Sequence, residues 1–186
     1  MEDLGVKIEF GGVSKTDLLQ KLNEAGILLN EFAGIIFSNE LFQTSKAKKT
    51  ILITDVFIKD LGFPQGATSP QIREHIKNVG LSECPIELAP YLRLKLRDQP
   101  EISADLSLKN QSPLDAITIF SDPLIEDDNF PKGFYLRKME GKLWLRGYTS
   151  YDEYVWKPND KMVFMIVNAK KARAANIGFP TMQVDE

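Results

Sequence analysis

The chain carries a single cysteine, Cys84, and a single histidine, His75, in 186 residues. One cysteine excludes an internal disulfide and any cysteine-cluster metal centre, and one histidine excludes sites built from several imidazoles. Only a carboxylate-based magnesium or calcium site stays open on composition, and neither a metal nor a cofactor is expected. Nothing approaches the run of about 20 apolar residues that spans a bilayer. The N-terminal segment alternates charged and apolar side chains without the apolar centre of a signal peptide. The lone thiol and the missing leader lead us to expect a cytoplasmic, reducing setting and no membrane partner. Basic charge is also in short supply, with 23 Lys and Arg against 26 Asp and Glu and a net charge of −3. That balance gives no long-range pull toward a polyanion, so nucleic acid is not the expected partner.

What the chain has in quantity is material for a core: 43% hydrophobic residues, with 11 Phe, 5 Tyr and 2 Trp. The length suits one domain. We expect it to span 1–168, with a joint near 98–113 where the sequence turns polar, followed by a flexible or helical tail over 169–186.

The punctuation along the chain predicts an α+β fold, with helices mainly in the first 80 residues and a mostly antiparallel sheet in the C-terminal half. Residues 6–10 read as a strand closed by Gly11 and Gly12. Ser14, three before Asp17, opens a helix with the stripe Leu18, Leu19, Leu22 and Ala25. A second helix starts at Asn30 with Phe32, Ile35 and Ile36 facing inward. The β-branched run 50–58 reads as a central strand buried on both faces. Thr68 or Ser69 caps a third helix, with Pro70 in its first turn, Ile72, Ile76 and Val79 as its stripe and Gly80 as its stop. Residues 91–97 alternate Leu92, Leu94, Leu96 with Arg93, Lys95, Arg97, the pattern of a half-buried strand. Further strands are expected at 117–120 and 161–167, a hairpin at 134–148 about Glu140 and Gly141, and a short helix or irregular turn at 150–156.

Three segments, Asp60-Leu61-Gly62-Phe63-Pro64-Gln65-Gly66-Ala67-Thr68, Cys84-Pro85-Ile86-Glu87-Leu88-Ala89-Pro90-Tyr91-Leu92-Arg93-Leu94 and Lys132-Gly133-Phe134-Tyr135-Leu136-Arg137, resemble a family of bacterial proteins that carry no assigned activity. The likeness covers roughly the middle and C-terminal two-thirds of the chain. It implies a bacterial cytosolic origin and designates no catalytic residue.

The hairpin is the most informative feature for function. With Glu140-Gly141 as a two-residue turn, Met139 faces Lys142, and one side of the ribbon collects Tyr135, Arg137, Trp144, Arg146 and Tyr148. The other side collects Phe134, Leu136, Leu143 and Leu145, and a register shifted by one residue would mix the two sets. Large rings and guanidinium groups are the side chains enriched at binding hot spots. The plainer reading is a solvated sheet face with arginines stacked on rings. From this face we expect a non-enzymatic interaction protein that contacts a protein partner.

The alternative is a small-molecule enzyme or sensor. Its anionic ligand would sit at the 62–69 loop and the following helix N-terminus, held by Gln65, Gly66, Thr68, Ser69, Arg93 and Arg97, with His75 as the proton carrier. That loop lacks the lysine and spacing of a nucleotide P-loop. The plainer reading gives Arg93, Lys95 and Arg97 a solvated face paired with carboxylates such as Glu87. His75 reads as a structural imidazole at the margin of its helix stripe, and Cys84 as a buried small hydrophobe; a Cys84 and His75 nucleophile pair lacks an orienting residue. Asp122, Glu126, Asp127 and Asp128 do not have EF-hand spacing and read as a mobile acidic loop.

Overall fold

The computed structural model describes residues 4–101, 112–177 and 180–185. The segment expected to be a joint, 98–113, falls largely outside them. Among the described residues the strands are β1 (Val6–Phe10), β2 (Leu28–Leu29), β3 (Lys49–Phe57), β4 (Ala67–Thr68), β5 (Leu81–Ser82), β6 (Ile117–Ile119), β7 (Gly133–Met139), β8 (Lys142–Tyr148), β9 (Val155–Trp156) and β10 (Lys161–Ile166). The helices are α1 (Lys15–Glu24), α2 (Glu31–Ser38), α3 (Ser69–Asn78), α4 (Leu88–Lys95) and α5 (Ala169–Ala174). Helices and a large sheet are both present, as expected, but α4 and α5 lie beyond the first 80 residues.

The main sheet has the order β1-β3-β10-β6-β7-β8-β2, with β5 also pairing with β10, and β4 pairs separately with β9. It is mixed rather than mostly antiparallel: β10 runs parallel to β6, and β2 runs parallel to β8. The cause is that the last strand is inserted in the middle. Running antiparallel to β3, β10 meets β6 on its other edge in the same direction. The run 50–58 is therefore not the central strand; β3 lies next to the edge strand β1, and its fully buried stretch is Ile53 to Val56.

Alternation along β10 divides the core into two layers. Val163 points to one face with Ile8, Ile53, Ile119, Phe134 and Leu145, where α1, α2 and α4 pack. Met162 and Phe164 point to the other with Val56, Phe120, Trp156 and the α3 residues Ile72 and Ile76. Ala172 of α5 joins this second layer.

The cap signals hold where side chains anchor the ends. Ser14 accepts from the Asp17 amide, and Thr68 and Gln71 form a reciprocal capping box at the start of α3. In α2 the expected inward set is corrected. Ala33, Ile36 and Phe37 are buried, whereas Phe32 and Ile35 are 37% and 38% exposed. The reason lies at the cap. Asn30 accepts from the amides of Ala33 and Gly147 and donates to the Gly147 carbonyl at 2.9 Å, which sets the rotation of α2 against β8. A Cβ on Gly147 would lie 2.6 Å from the Phe32 carbonyl carbon, so this approach needs glycine.

The strand expected over 91–97 is instead helix α4. Leu88, Leu92 and Leu96, with Ala89, are buried at spacings of three to four, which outweighs the alternation from Leu92 to Leu96. Pro90 falls in the first turn, where a missing N–H breaks no helical bond. Residues 150–156, expected as a helix or turn, end in β9, and the tail is helical in α5. Beyond it the chain docks on the first face: Asp55 accepts from the amides of Thr181 and Met182 and lies 3.2 Å from Lys161 Nζ.

The hairpin has the expected register, with Tyr135 opposite Arg146, Leu136 opposite Leu145 and Met139 opposite Lys142. Glu140 and Gly141 both have positive φ, 51° and 71°, as the two-residue turn requires. The Glu101 carboxylate accepts from both their amides, at 2.6 and 2.9 Å.

Leu145 is fully buried while its neighbour Trp144 is half-exposed on the opposite side. Leu145→Ala is expected to lower stability by about 2–5 kcal/mol through the cavity it leaves, and Trp144→Ala by clearly less. Denaturant melts of the two variants check this; equal losses would mean that both ribbon faces are packed core.

Candidate functional site

The second face of the hairpin is not a flat platform. Tyr135, Arg146 and Tyr148 floor a pocket of about 330 Å³ whose wall is built by Tyr151, Tyr154 and Trp156. Asn30, Phe32 and Gly147 close one side and Ser112, Pro113 and Thr118 another. The volume and the mainly apolar, aromatic lining with few polar groups are those of a small-molecule site. The rings interlock edge to face: Tyr148 on Trp156 at 5.6 Å and Tyr154 on Trp156 at 5.1 Å between centroids. Trp156 is fixed in turn by the β4–β9 pairing and by its Nε1 donating to Ser69 Oγ at 2.9 Å.

Arg146 supplies the one guanidinium of the lining. Its Nε donates to the Tyr135 hydroxyl at 2.7 Å, and its guanidinium carbon lies 5.9 and 5.1 Å from the Tyr135 and Trp144 ring centroids, within cation–π range. Tyr154 likewise accepts, from the Ser112 amide at 3.1 Å. Burial raises the Tyr148 phenol above its ordinary range and does the same, as the largest cause, for Tyr154, so both stay protonated at neutral pH.

The five hairpin residues singled out from the sequence therefore separate. Tyr135, Arg146 and Tyr148 meet in the pocket. Trp144 stacks on Arg146 outside the lining, and Arg137 is drawn to the buried carboxylate of Asp115 at 2.9 Å. Among the pocket residues that sequence reasoning missed are the wall rings Tyr151, Tyr154 and Trp156. Their only signal is the density of rings between Tyr148 and Trp156.

The expected anion site does not assemble. Arg93 is on α4 and Arg97 lies just past its C-terminal end, and α4 packs on the opposite side of the sheet from the 62–69 loop. Arg93 is fully buried and donates to Gln99 Oε1 at 2.6 Å and to the Leu96 carbonyl; burial pulls its pKa down to about 10. Arg97 is exposed and bonds the Leu94 carbonyl. At the loop, Gln65 is exposed, Gly66 packs on the Trp156 backbone, Thr68 is occupied by the capping box and Ser69 by Trp156. Glu87 accepts from the amide and hydroxyl of Ser45 rather than from an arginine.

His75 stacks edge to face on Phe63 at 5.1 Å, a packing contact. Cys84 is buried with its thiol directed at the Val163 carbonyl, and burial pushes its pKa far up, the opposite of an activated nucleophile. In the acidic segment, Asp122 approaches Arg73, Asp127 binds Asn129 and Asp128 pairs with Lys132. Among the described residues there is no cluster of three metal-ligating side chains, and no helix is long and apolar enough to cross a membrane.

Comparison with models of known families, with curated proteins and with solved structures returns no match to this chain.

Asp160 lies close enough to Tyr154 to help raise its phenol, and burial raises the Asp160 carboxyl itself to about 6. Its Oδ2 accepts from the Lys157 amide at 2.7 Å. The native state then holds this proton over a pH range where the unfolded chain has released it. Stability falls as pH rises from about 4 to about 6, by up to about 3 kcal/mol. Asp160→Asn keeps the acceptor and cannot ionise. Denaturant midpoints measured from about pH 4 to about pH 7 are expected to show the variant gaining on the wild-type protein; a constant difference would mean that the carboxyl does not titrate there.

Proposed function

We propose that the protein is a non-catalytic binding module that receives a small ligand in the pocket floored by the β7–β8 hairpin. The observation that carries this reading is the convergence of Tyr135, Arg146 and Tyr148 with Tyr151, Tyr154 and Trp156 around one concave volume of about 330 Å³. The lining offers rings, hydroxyl groups and one guanidinium. Its one carboxylate, Asp128, is exposed and 3.5 Å from Lys132, which suits binding rather than proton transfer. A bacterial cytosolic setting, implied by the resemblance of the three sequence segments and by the lone buried thiol, belongs to the same proposal.

A second reading, a protein partner seated on the same face, is favoured by the large apolar side chains near the mouth. Tyr151 and Val155 are each 52% exposed, and Phe32 and Ile35 of α2 add to them. In that case Trp144 and Arg146 would be the anchors.

A screen of small aromatic molecules against the isotope-labelled protein, read by two-dimensional NMR, distinguishes the two. We expect binders whose shifts centre on the Gly147 amide and the Trp156 indole. Tyr135→Ala and Tyr151→Ala should each weaken such binders by roughly 1–2 kcal/mol, with Tyr151→Ala leaving the melting temperature unchanged. Binders that leave these signals unmoved would remove the pocket from consideration.

A further inference from the structure

Three hydrogen-bonding groups beside the pocket's rings share a donor character. The Tyr135 hydroxyl already accepts from Arg146 Nε, and the Tyr154 hydroxyl already accepts from the Ser112 amide. With an N–H on its oxygen, each phenol has its own proton left to donate. The side chain of Arg146 makes one hydrogen bond among the described residues, through Nε, so its terminal N–H groups also remain as donors. Of the other polar groups of the lining, the Asp128 carboxylate is exposed and paired with Lys132 at 3.5 Å. Asn30 is engaged by Ala33 and Gly147, and the Trp156 indole N–H by Ser69. Between its aromatic walls the cavity therefore presents two phenolic O–H groups and a guanidinium edge as donors, while its one carboxylate, Asp128, is exposed and already paired with Lys132.

Donors of this kind select an acceptor, and a guanidinium in a partly dehydrated pocket selects a negatively charged one. Edge-to-face rings on Trp156 select a flat ring system in the remaining space. Resting on the reading of the pocket as a ligand site, we infer that its ligand is a planar aromatic acid, the ring held among Tyr148, Tyr154 and Trp156 and the anionic group on Arg146 and the Tyr135 hydroxyl. A quaternary or primary amine, which an aromatic pocket alone would attract, is disfavoured by the fixed positive charge of Arg146.

Three probes of one shape separate charge from ring: naphthoate, naphthamide and naphthylmethylammonium, the same isomer throughout, titrated calorimetrically and by two-dimensional NMR. Naphthoate is expected to bind about tenfold tighter than the amide, the worth of one charge-assisted hydrogen bond, with the ammonium weakest. Arg146→Gln should remove most of the advantage of naphthoate over the amide, weakening the amide by clearly less. Tyr135→Phe, which removes only the hydroxyl, should weaken naphthoate more than it weakens the amide. Equal binding of all three probes at the pocket, or tightest binding of the ammonium, would overturn the inference while leaving the pocket as a site. Failure of all three to perturb pocket signals would overturn the inference together with the binding reading beneath it.

Discussion

The register of the β7–β8 hairpin is the constraint on which core and pocket both depend. Because side chains alternate, the same pairing that sends Phe134, Leu136 and Leu145 into the first layer sends Tyr135, Arg146 and Tyr148 toward the second. A slip of one residue would put a guanidinium into the core and leucines into the cavity. Two features outside the strands hold the pairing in place. Glu101 clasps both amides of the turn, and Asn30 grips both backbone groups of Gly147 near the far end of β8. The second grip also positions α2, so the mouth of the pocket and the packing of Ala33, Ile36 and Phe37 share one anchor.

Where the fold was legible in the sequence, the signal was local and chemically redundant. The hairpin had a turn that tolerates positive φ and two chemically distinct faces that only one register keeps apart. Helix α3 had a capping box, an early proline, an apolar stripe and a terminal glycine, all pointing the same way. Helix α4 was misread because 91–97 satisfies two periods at once: Leu92, Leu94 and Leu96 alternate, while Leu88, Leu92 and Leu96 repeat every four. The second period becomes decisive only when Pro90 is placed inside the helix instead of at a turn before a strand. The mixed character of the sheet left no local trace, since a strand's direction relative to its neighbours is set by connections far away in the chain.

The candidate site was half legible for the same reason. Tyr135, Arg146 and Tyr148 belong to regular strands whose facing follows from parity. Tyr151 and Tyr154 belong to a connection and Trp156 to the two-residue strand β9, which contacts with α3 and β4 hold in place, and so short a segment has no period to assign its sides. The anion site expected at 62–69 was built from two segments that each have suitable chemistry but lie on opposite layers. Charge and spacing alone do not report which layer a segment joins.

The position of β10 has a consequence for how the chain is made. A ribosome delivers β1 and β3 early and β6, β7 and β8 later, yet these two groups touch within the sheet only through the strand between them, whose residues are Lys161–Ile166. Until that strand emerges, the nascent chain consists of two partial sheets, each with an open edge, at β3 and at β6, where backbone N–H and C=O groups lack partners. Both hydrophobic layers are likewise incomplete, because Met162, Val163 and Phe164 fill their centres. Closure is then a late, long-range event. A message cut short, or a translation pause, just before this strand would leave a product with two sticky edges, a natural substrate for the cell's holding chaperones.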